Sequence, residues 1–200
     1  DALASGKGPD IFMIRNSWRA AFEDKIVPAP ENLITEKRYR DALVDVAATD
    51  FIGTDGKIYG MPISVDSLGL YYNKDLMNAA GIAQPPATWE EVLSAVRRMN
   101  RIDQNGNIVQ SGIALGTAYN INRSTDILAA MMMQLGAKMA DPQSGRADFS
   151  DDGAKKALEF YTRFSSEAGS DTYSWNKASH YSIDAFTEGT LGMMVNYSWQ

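Results

Sequence analysis

Two hundred residues, 44% of them hydrophobic and 22% charged, suffice to bury a real core as one large domain or two small ones. A net charge of -6 without a basic run longer than two residues argues against nucleic acid as a partner. The lack of cysteine excludes disulfides, thiolate catalysis and cysteine-bound zinc, and His180 alone cannot build a histidine-rich metal site. No apolar run approaches the ~20 residues of a membrane span; Ile127 to Met133 is the nearest.

In chain order, the opening DALASGKG reads as a helix end stopped by glycine. Asp10 to Ile14 follows Gly8-Pro9 as an apolar run, long enough for a buried strand of a parallel sheet. Arg15, Asn16, Ser17 and Trp18 come at its C-terminal end, where open α/β sheets place ligand contacts. A short helix fits Ala20 to Ile26, ended before Pro28 and Pro30. A second, from about Glu36 to Ala48, carries Tyr39, Leu43, Val46 and Ala47 at helical spacing. The turn dipeptide Asp55-Gly56 leads into two extended pieces, Ile58 to Val65 and Leu68 to Asn73, rich in β-branched and aromatic residues. Their broken alternation fits strands buried on both faces. Asp66 and Ser67 lie between them. An acid among apolar neighbours is solvated, paired, or available to a hydrogen-bonding ligand. Spacing leaves two readings open for Asp66: a turn carboxylate capping a backbone amide, or a ligand acceptor.

Pro85-Pro86-Ala87 marks a boundary before the capping box Thr88-Trp89-Glu90-Glu91. Trp89, Val92, Leu93, Val96 and Met99 then make the apolar stripe of a helix. Asp103 to Asn107 is a turn without the spacing of a calcium loop. Gly112 to Gly116 reads as a small-residue strand, and Ser124 as the cap of a helix whose methionine run fills a core. Another helix begins at Ser150 or Asp151, a short one spans Ser182 to Glu188, and Leu191 to Tyr197 forms a last strand. Helices alternating with short apolar strands give an α/β fold.

Sugars are held by aromatic faces against ring C–H patches and by carboxylates, amides and hydroxyls around their hydroxyl groups. Trp18, Trp175 and Trp199 each stand among serine and asparagine, as such a site requires; each is otherwise a loop anchor. Ser5-Gly6-Lys7-Gly8 lacks the upstream glycine of a phosphate loop, and no G-x-S-x-G elbow exists. The rival class is a glycoside hydrolase or other carbohydrate-active enzyme. It would use the same aromatics with two carboxylates ~5–9 Å apart, and only Asp66 stands among the candidate positions.

Four ordered pieces resemble one family: GKGPDIF (Gly6 to Phe12), YGMPISVDSLGLYYNKDL (Tyr59 to Leu76), AGIAQPPATWEEVLSAVRRM (Ala80 to Met99) and SIDAFTEGTLGMMVNYSW (Ser182 to Trp199). They are similar to the extracellular solute-binding proteins of ABC importers, of the maltose-binding, carbohydrate type. The resemblance implies a two-lobed, class II periplasmic-binding-protein fold, incomplete in this chain. Residues 1–77 would be part of the N-terminal lobe with a hinge crossing, 78–190 most of the C-terminal lobe, and 191–200 a returning hinge strand. The opening strands of the first lobe would be missing, leaving Asp10 to Ile14 with an uncovered edge. It further implies a non-enzymatic protein without cofactor or metal, which binds a sugar or oligosaccharide between its lobes and delivers it to ABC permease subunits. Location would be periplasmic or extracellular, with a membrane link only through a lipoprotein anchor upstream. By position in the family's motifs, Asn16, Ser17 and Trp18 would line the ligand, Asp66 would take its hydroxyls, and Trp199 would stack on a ring. Asn196 and Tyr197 precede that tryptophan. Tyr119 and Asn120 follow a strand of the second lobe, and Trp175 completes the candidates.

Overall fold

The structure, a computed structural model, describes residues 2, 4–141, 144–166 and 168–200. It divides into two compact units, residues 1–65 and 66–200.

In the opening segment, Asp1 and Leu3 lie outside the described residues, and the neighbouring chain turns where Lys7 N–H donates to the Ala2 carbonyl at 3.0 Å. Three helices follow in the first unit: α1 (Arg19–Phe22), flanked by single 3-10 turns at Asn16–Trp18 and Glu23–Lys25, then α2 (Glu36–Ala42) and α3 (Asp45–Phe51). The single helix expected over 36–48 is therefore two. Leu43 and Val44 are extended (ψ 159° and 150°), and α3 restarts with the acid Asp45 in its first turn, where the helix dipole favours negative charge. Thr35 caps α2 by accepting from Arg38 N–H at 3.3 Å.

Two expected strands of this unit do not form. Ile11 and Met13 are 89% and 81% exposed, and residues 10–14 have no ladder partner among the described residues. Between Ile58 and Val65, only Ile58 pairs, in an isolated antiparallel bridge with Ile52. An apolar extended segment becomes a strand only where a neighbour accepts its N–H groups and covers its side chains. For residues 10–14 the described residues of this unit supply neither, and for 58–65 they do so only at the start of that segment, where the Phe51 carbonyl accepts from Tyr59 N–H at 2.8 Å and Ile58 is buried. Its core is small: Tyr39, Ala47, Ala48 and Ile58 are buried, and the Tyr39 hydroxyl donates to the Gly60 carbonyl at 3.1 Å.

The second unit carries a four-stranded sheet in the order β1-β4-β3-β2, formed by β1 (Leu68–Tyr72), β2 (Arg101–Ile102), β3 (Ile108–Ile113) and β4 (Leu191–Tyr197). β4 runs antiparallel to β1 and parallel to β3, while β2 and β3 form a hairpin around the Asp103 to Asn107 turn. There Asp103 accepts from the backbone N–H groups of Asn105 and Asn107, both at 2.8 Å. The strand expected at 112–116 begins earlier, because hairpin pairing recruits Ile108 to Gln110. Beyond its end Ala114 still donates to the Met193 carbonyl at 3.2 Å.

Five helices surround this sheet: α4 (Lys74–Ala79), α5 (Trp89–Met99), α6 (Ser124–Gln134), α7 (Asp152–Ser166) and α8 (Ser182–Thr187). The capping box of α5 forms with one change. Thr88 accepts from Glu91 N–H, but the Glu91 carboxylate reaches the Ala87 amide instead of that of Thr88. Asn73 caps α4 and Asp151 caps α7. The expected cap of α6 is displaced: Ser124 is its first residue and donates to the Ala118 carbonyl, while Arg123 holds the cap position without a side-chain bond. Val92, Ala95, Val96 and Met99 of α5 are buried in one core with Ile113, Leu115, Ile127, Phe164, Leu191 and Met193. Backbones approach closely here. A Cβ at Gly112 would lie 2.7 Å from Val96 Cα, and one at Gly192 2.8 Å from Met99 Sδ. Met131 and Met132 are buried, as core filling requires, while Met133 is exposed. Among the described residues no helix is long and apolar enough to cross a membrane.

The disparity of the two cores sets an expected result. In hydrogen–deuterium exchange, amides of α2 and α3 exchange more than about tenfold faster than those of α5 and β4, about 1.4 kcal/mol in opening free energy. Equal protection of both sets would contradict this.

Candidate functional site

The β1–β4 register pairs Leu68 with Tyr197, so Asp66 and the Ser198-Trp199 dipeptide emerge at one end of the same strand pair. The carboxylate of Asp66 clasps the two segments. Its Oδ1 accepts from Ser67 N–H at 2.8 Å, from Ser198 N–H at 3.0 Å and from the Ser198 hydroxyl. These bonds, the Ser198 hydroxyl first, hold the acid below its ordinary value of 3.8 against the opposing effect of desolvation, with the Arg123 charge adding to them. Oδ2 has no partner among the described residues and is free to accept from a ligand. The capping reading left open by the sequence is thus met through Oδ1.

Arg123 stands beside this clasp. Its guanidinium carbon lies 5.0 Å from the Tyr197 ring centroid and 5.6 Å from that of Trp199, within cation–π range of both. Nε is buried and finds no acceptor among the described residues. The backbone is left-handed at φ 64°, the sole such non-glycine among the described residues, which costs about 1–2 kcal/mol. Tyr197 is fixed from two sides: its hydroxyl donates to Asp126 Oδ2 at 3.1 Å, and its carbonyl accepts from the Tyr71 hydroxyl at 2.8 Å. Burial, followed by the Asp126 carboxylate, pushes its phenol up. Trp199 itself is 64% exposed. The ensemble is an open indole face on a fixed cation, next to a carboxylate with one free oxygen. It can cover an apolar ring face while accepting from hydroxyls.

Of the residues named from sequence, this face unites Asp66, Tyr197 and Trp199. Asn196 is adjacent but fully buried, where its Oδ1 accepts from Tyr197 N–H. Trp175 requires correction as a ligand contact and is the loop anchor of its alternative reading. It is 1% exposed in the core, and its Nε1–H donates to Asn120 Oδ1 at 3.1 Å. Asn120 is also buried and ties the 176–179 loop through the Asn176 and Ser179 carbonyls. Apolar packing on Phe164 and its neighbours outweighs the polar flanks of Trp175 that suggested a surface. Tyr119 is 60% exposed, with its hydroxyl on the Lys177 carbonyl. Asn16, Ser17 and Trp18 share one turn of the first unit, where Asn16 Nδ2 donates to Asp50 at 2.7 Å and Trp18 remains half exposed. Arg123 and Ser198 escaped the sequence reading. A left-handed arginine leaves no periodic signal in the sequence. Among the described residues no group of three His, Asp or Glu could hold a metal ion.

The sequence profile of the bacterial extracellular solute-binding proteins matches residues 1–200. The chain belongs to that family. Among curated relatives, a mannitol-binding protein of Pseudomonas aeruginosa is 30% identical over 113 residues, 56% of this chain and 25% of that protein. A putative binding protein of Brucella abortus is 30% identical over 90 residues, 45% of this chain and 22% of that protein. Solved solute-binding proteins share the fold. One from Arthrobacter globiformis, which binds cyclic alpha-maltosyl-1,6-maltose, matches 99% of this chain and 48% of its own at a TM-score of 0.75 and 23% identity. One from Thermotoga lettingae, bound with alpha-D-tagatose, matches 99% and 50% at 0.69 and 24% identity. The α/β fold is thus that of the class II solute-binding proteins, and the chain spans about half the length of those solved structures.

The clasp of this solute-binding protein predicts an acid-labile contribution. Because the folded state holds Asp66 below its ordinary 3.8, its stabilisation is complete above that pH and is lost as pH falls through the lowered folded value. Asp66→Asn is expected to lower the Tm at neutral pH and to flatten the decline between about pH 5 and pH 2. Parallel Tm–pH curves for the two proteins would contradict the clasp.

Proposed function

We propose that the protein binds a sugar or oligosaccharide, unaltered, at the Asp66–Tyr197–Trp199 face and delivers it to ABC permease subunits. The observation that carries this reading is the exposed Trp199 indole, held on a guanidinium beside a carboxylate with one oxygen free. Indole and carboxylate together match the alternating apolar faces and hydroxyl edges of a sugar ring. The turn Asn16–Trp18 offers the same pairing of amide, hydroxyl and indole and is a second place where contacts are expected. Tyr119 is the remaining accessible candidate, while Trp175, Asn120 and Asn196 support the fold from within. The names of relatives that bind mannitol, tagatose and a cyclic maltosyl-maltose agree with a polyhydroxylated ligand. An extracellular or periplasmic location with a lipid anchor, and the absence of turnover, belong to the same proposal.

Titration calorimetry of the intact protein against mannitol, tagatose, maltotriose and cyclic maltodextrins tests it directly. Saturable binding of at least one, with the sugar recovered unchanged, is expected. Hydrolysis of a bound oligosaccharide would move the protein to the carbohydrate-active enzymes, and no binding across the panel would overturn the reading.

A further inference from the structure

We propose that Arg123 is a positioning residue that fixes the Trp199 ring in the orientation needed for stacking; this rests on the sugar-binding reading above. Three observations converge on it. Trp199 is 64% exposed at the end of β4, beyond the last residue paired in the ladder, so the strand itself does not hold its side chain. The guanidinium of Arg123 lies over that ring at 5.6 Å and over Tyr197 at 5.0 Å, with Tyr197 anchored by Asp126 and Tyr71. Arg123 thus links a rigid ring to an exposed one. Its backbone has a left-handed φ of 64°, which a helix cap without a side-chain hydrogen bond does not require of an arginine. Glycine would serve that conformation at less cost. A planar cation occupies a conformation that the fold alone favours for glycine, and its Nε is buried without a protein acceptor among the described residues.

The Asp66 carboxylate completes the arrangement. Its Oδ1 locks Ser198, the residue preceding Trp199, by accepting from both the Ser198 N–H and the Ser198 hydroxyl. Trp199 is thereby bracketed by a fixed preceding residue and a fixed cation. Preorganising an aromatic platform removes the ordering cost that a ligand would otherwise meet on binding.

Arg123→Gly separates positioning from structural support. The Trp199 contribution to near-ultraviolet circular dichroism is expected to fall by more than about half, while Tm stays unchanged or rises because the backbone strain is relieved. In a Trp199→Phe background the same substitution is expected to leave the tryptophan bands unchanged, which assigns the effect to Trp199. Arg123→Lys, which keeps charge but loses the plane, should recover only part of the signal. Mannitol and maltotriose titrations are expected to show about fivefold weaker binding in Arg123→Gly than in the parent. A lowered Tm with an intact Trp199 band would make Arg123 a structural cap and overturn the inference. The circular-dichroism cycle needs no sugar, so its failure is distinct from failure of the binding reading, which Trp199→Ala tests.

Discussion

Trp175→Ala is expected to lower the unfolding free energy of the 66–200 unit by about 3–5 kcal/mol, the range for truncating a large buried aromatic. Trp175 is the largest fully buried side chain of that unit. Its loss leaves a cavity beside Phe164, whose carbonyl accepts from Trp175 N–H at 3.1 Å, so the cavity wall is backbone and cannot readily collapse. It also removes the indole donor from Asn120, a buried amide that organises the 176–179 loop and takes a second bond from the Thr117 hydroxyl. Next to it, the Ser174 hydroxyl bridges both backbone groups of Ile113, tying this loop to β3. Trp175→Phe keeps most of the volume and should lose only about 1–2 kcal/mol, mainly the hydrogen bond. Urea unfolding of the three proteins measures the series. Sugar affinity that falls in Trp175→Ala while its urea midpoint stays at the parent value would return the residue to the ligand surface and contradict its burial.

That contrast also shows what the sequence could carry. Trp175 and Trp199 have nearly the same local signature, Tyr-Ser-Trp before a polar residue, yet one is 1% and the other 64% exposed. The difference lies in which elements return to cover them, and no local pattern encodes that. Elements with strong local signals were legible: β4 matches its sequence bounds residue for residue, and α5 carries the expected apolar stripe behind its capping box, because a largely apolar run and a capped stripe are decided locally. The run Asp10 to Ile14 failed for the complementary reason, since a strand exists only by its partners. Asp66 was legible as an acid in an apolar stretch, but its division into a clasping Oδ1 and an open Oδ2 depended on Ser198, 132 residues away. Arg123 was not legible, since its role comes from a cap conformation and two rings at the end of β4, Tyr197 within it and Trp199 just beyond.

Trp199→Ala is the substitution expected to weaken sugar binding most while leaving the fold untouched. An exposed indole covered by a ligand loses apolar area to water only in the complex. Covering a large apolar side chain is worth about 1.5–3 kcal/mol, and about 1.4 kcal/mol corresponds to each tenfold. Affinity should therefore fall about ten- to hundredfold. Tm should hold, because the side chain donates no hydrogen bond to any described residue and contributes no buried core area. Asp66→Asn makes the informative companion. It leaves an oxygen to accept from Ser198 but removes the charge from both carboxylate oxygens. It should thus lower affinity about tenfold, and lower Tm as well. The two variants differ in the stability column, which separates ligand contact from strand-end clasp. If Trp199→Ala binds the same sugar as tightly as the parent, the exposed indole is no stacking platform, and the site must lie elsewhere on the chain.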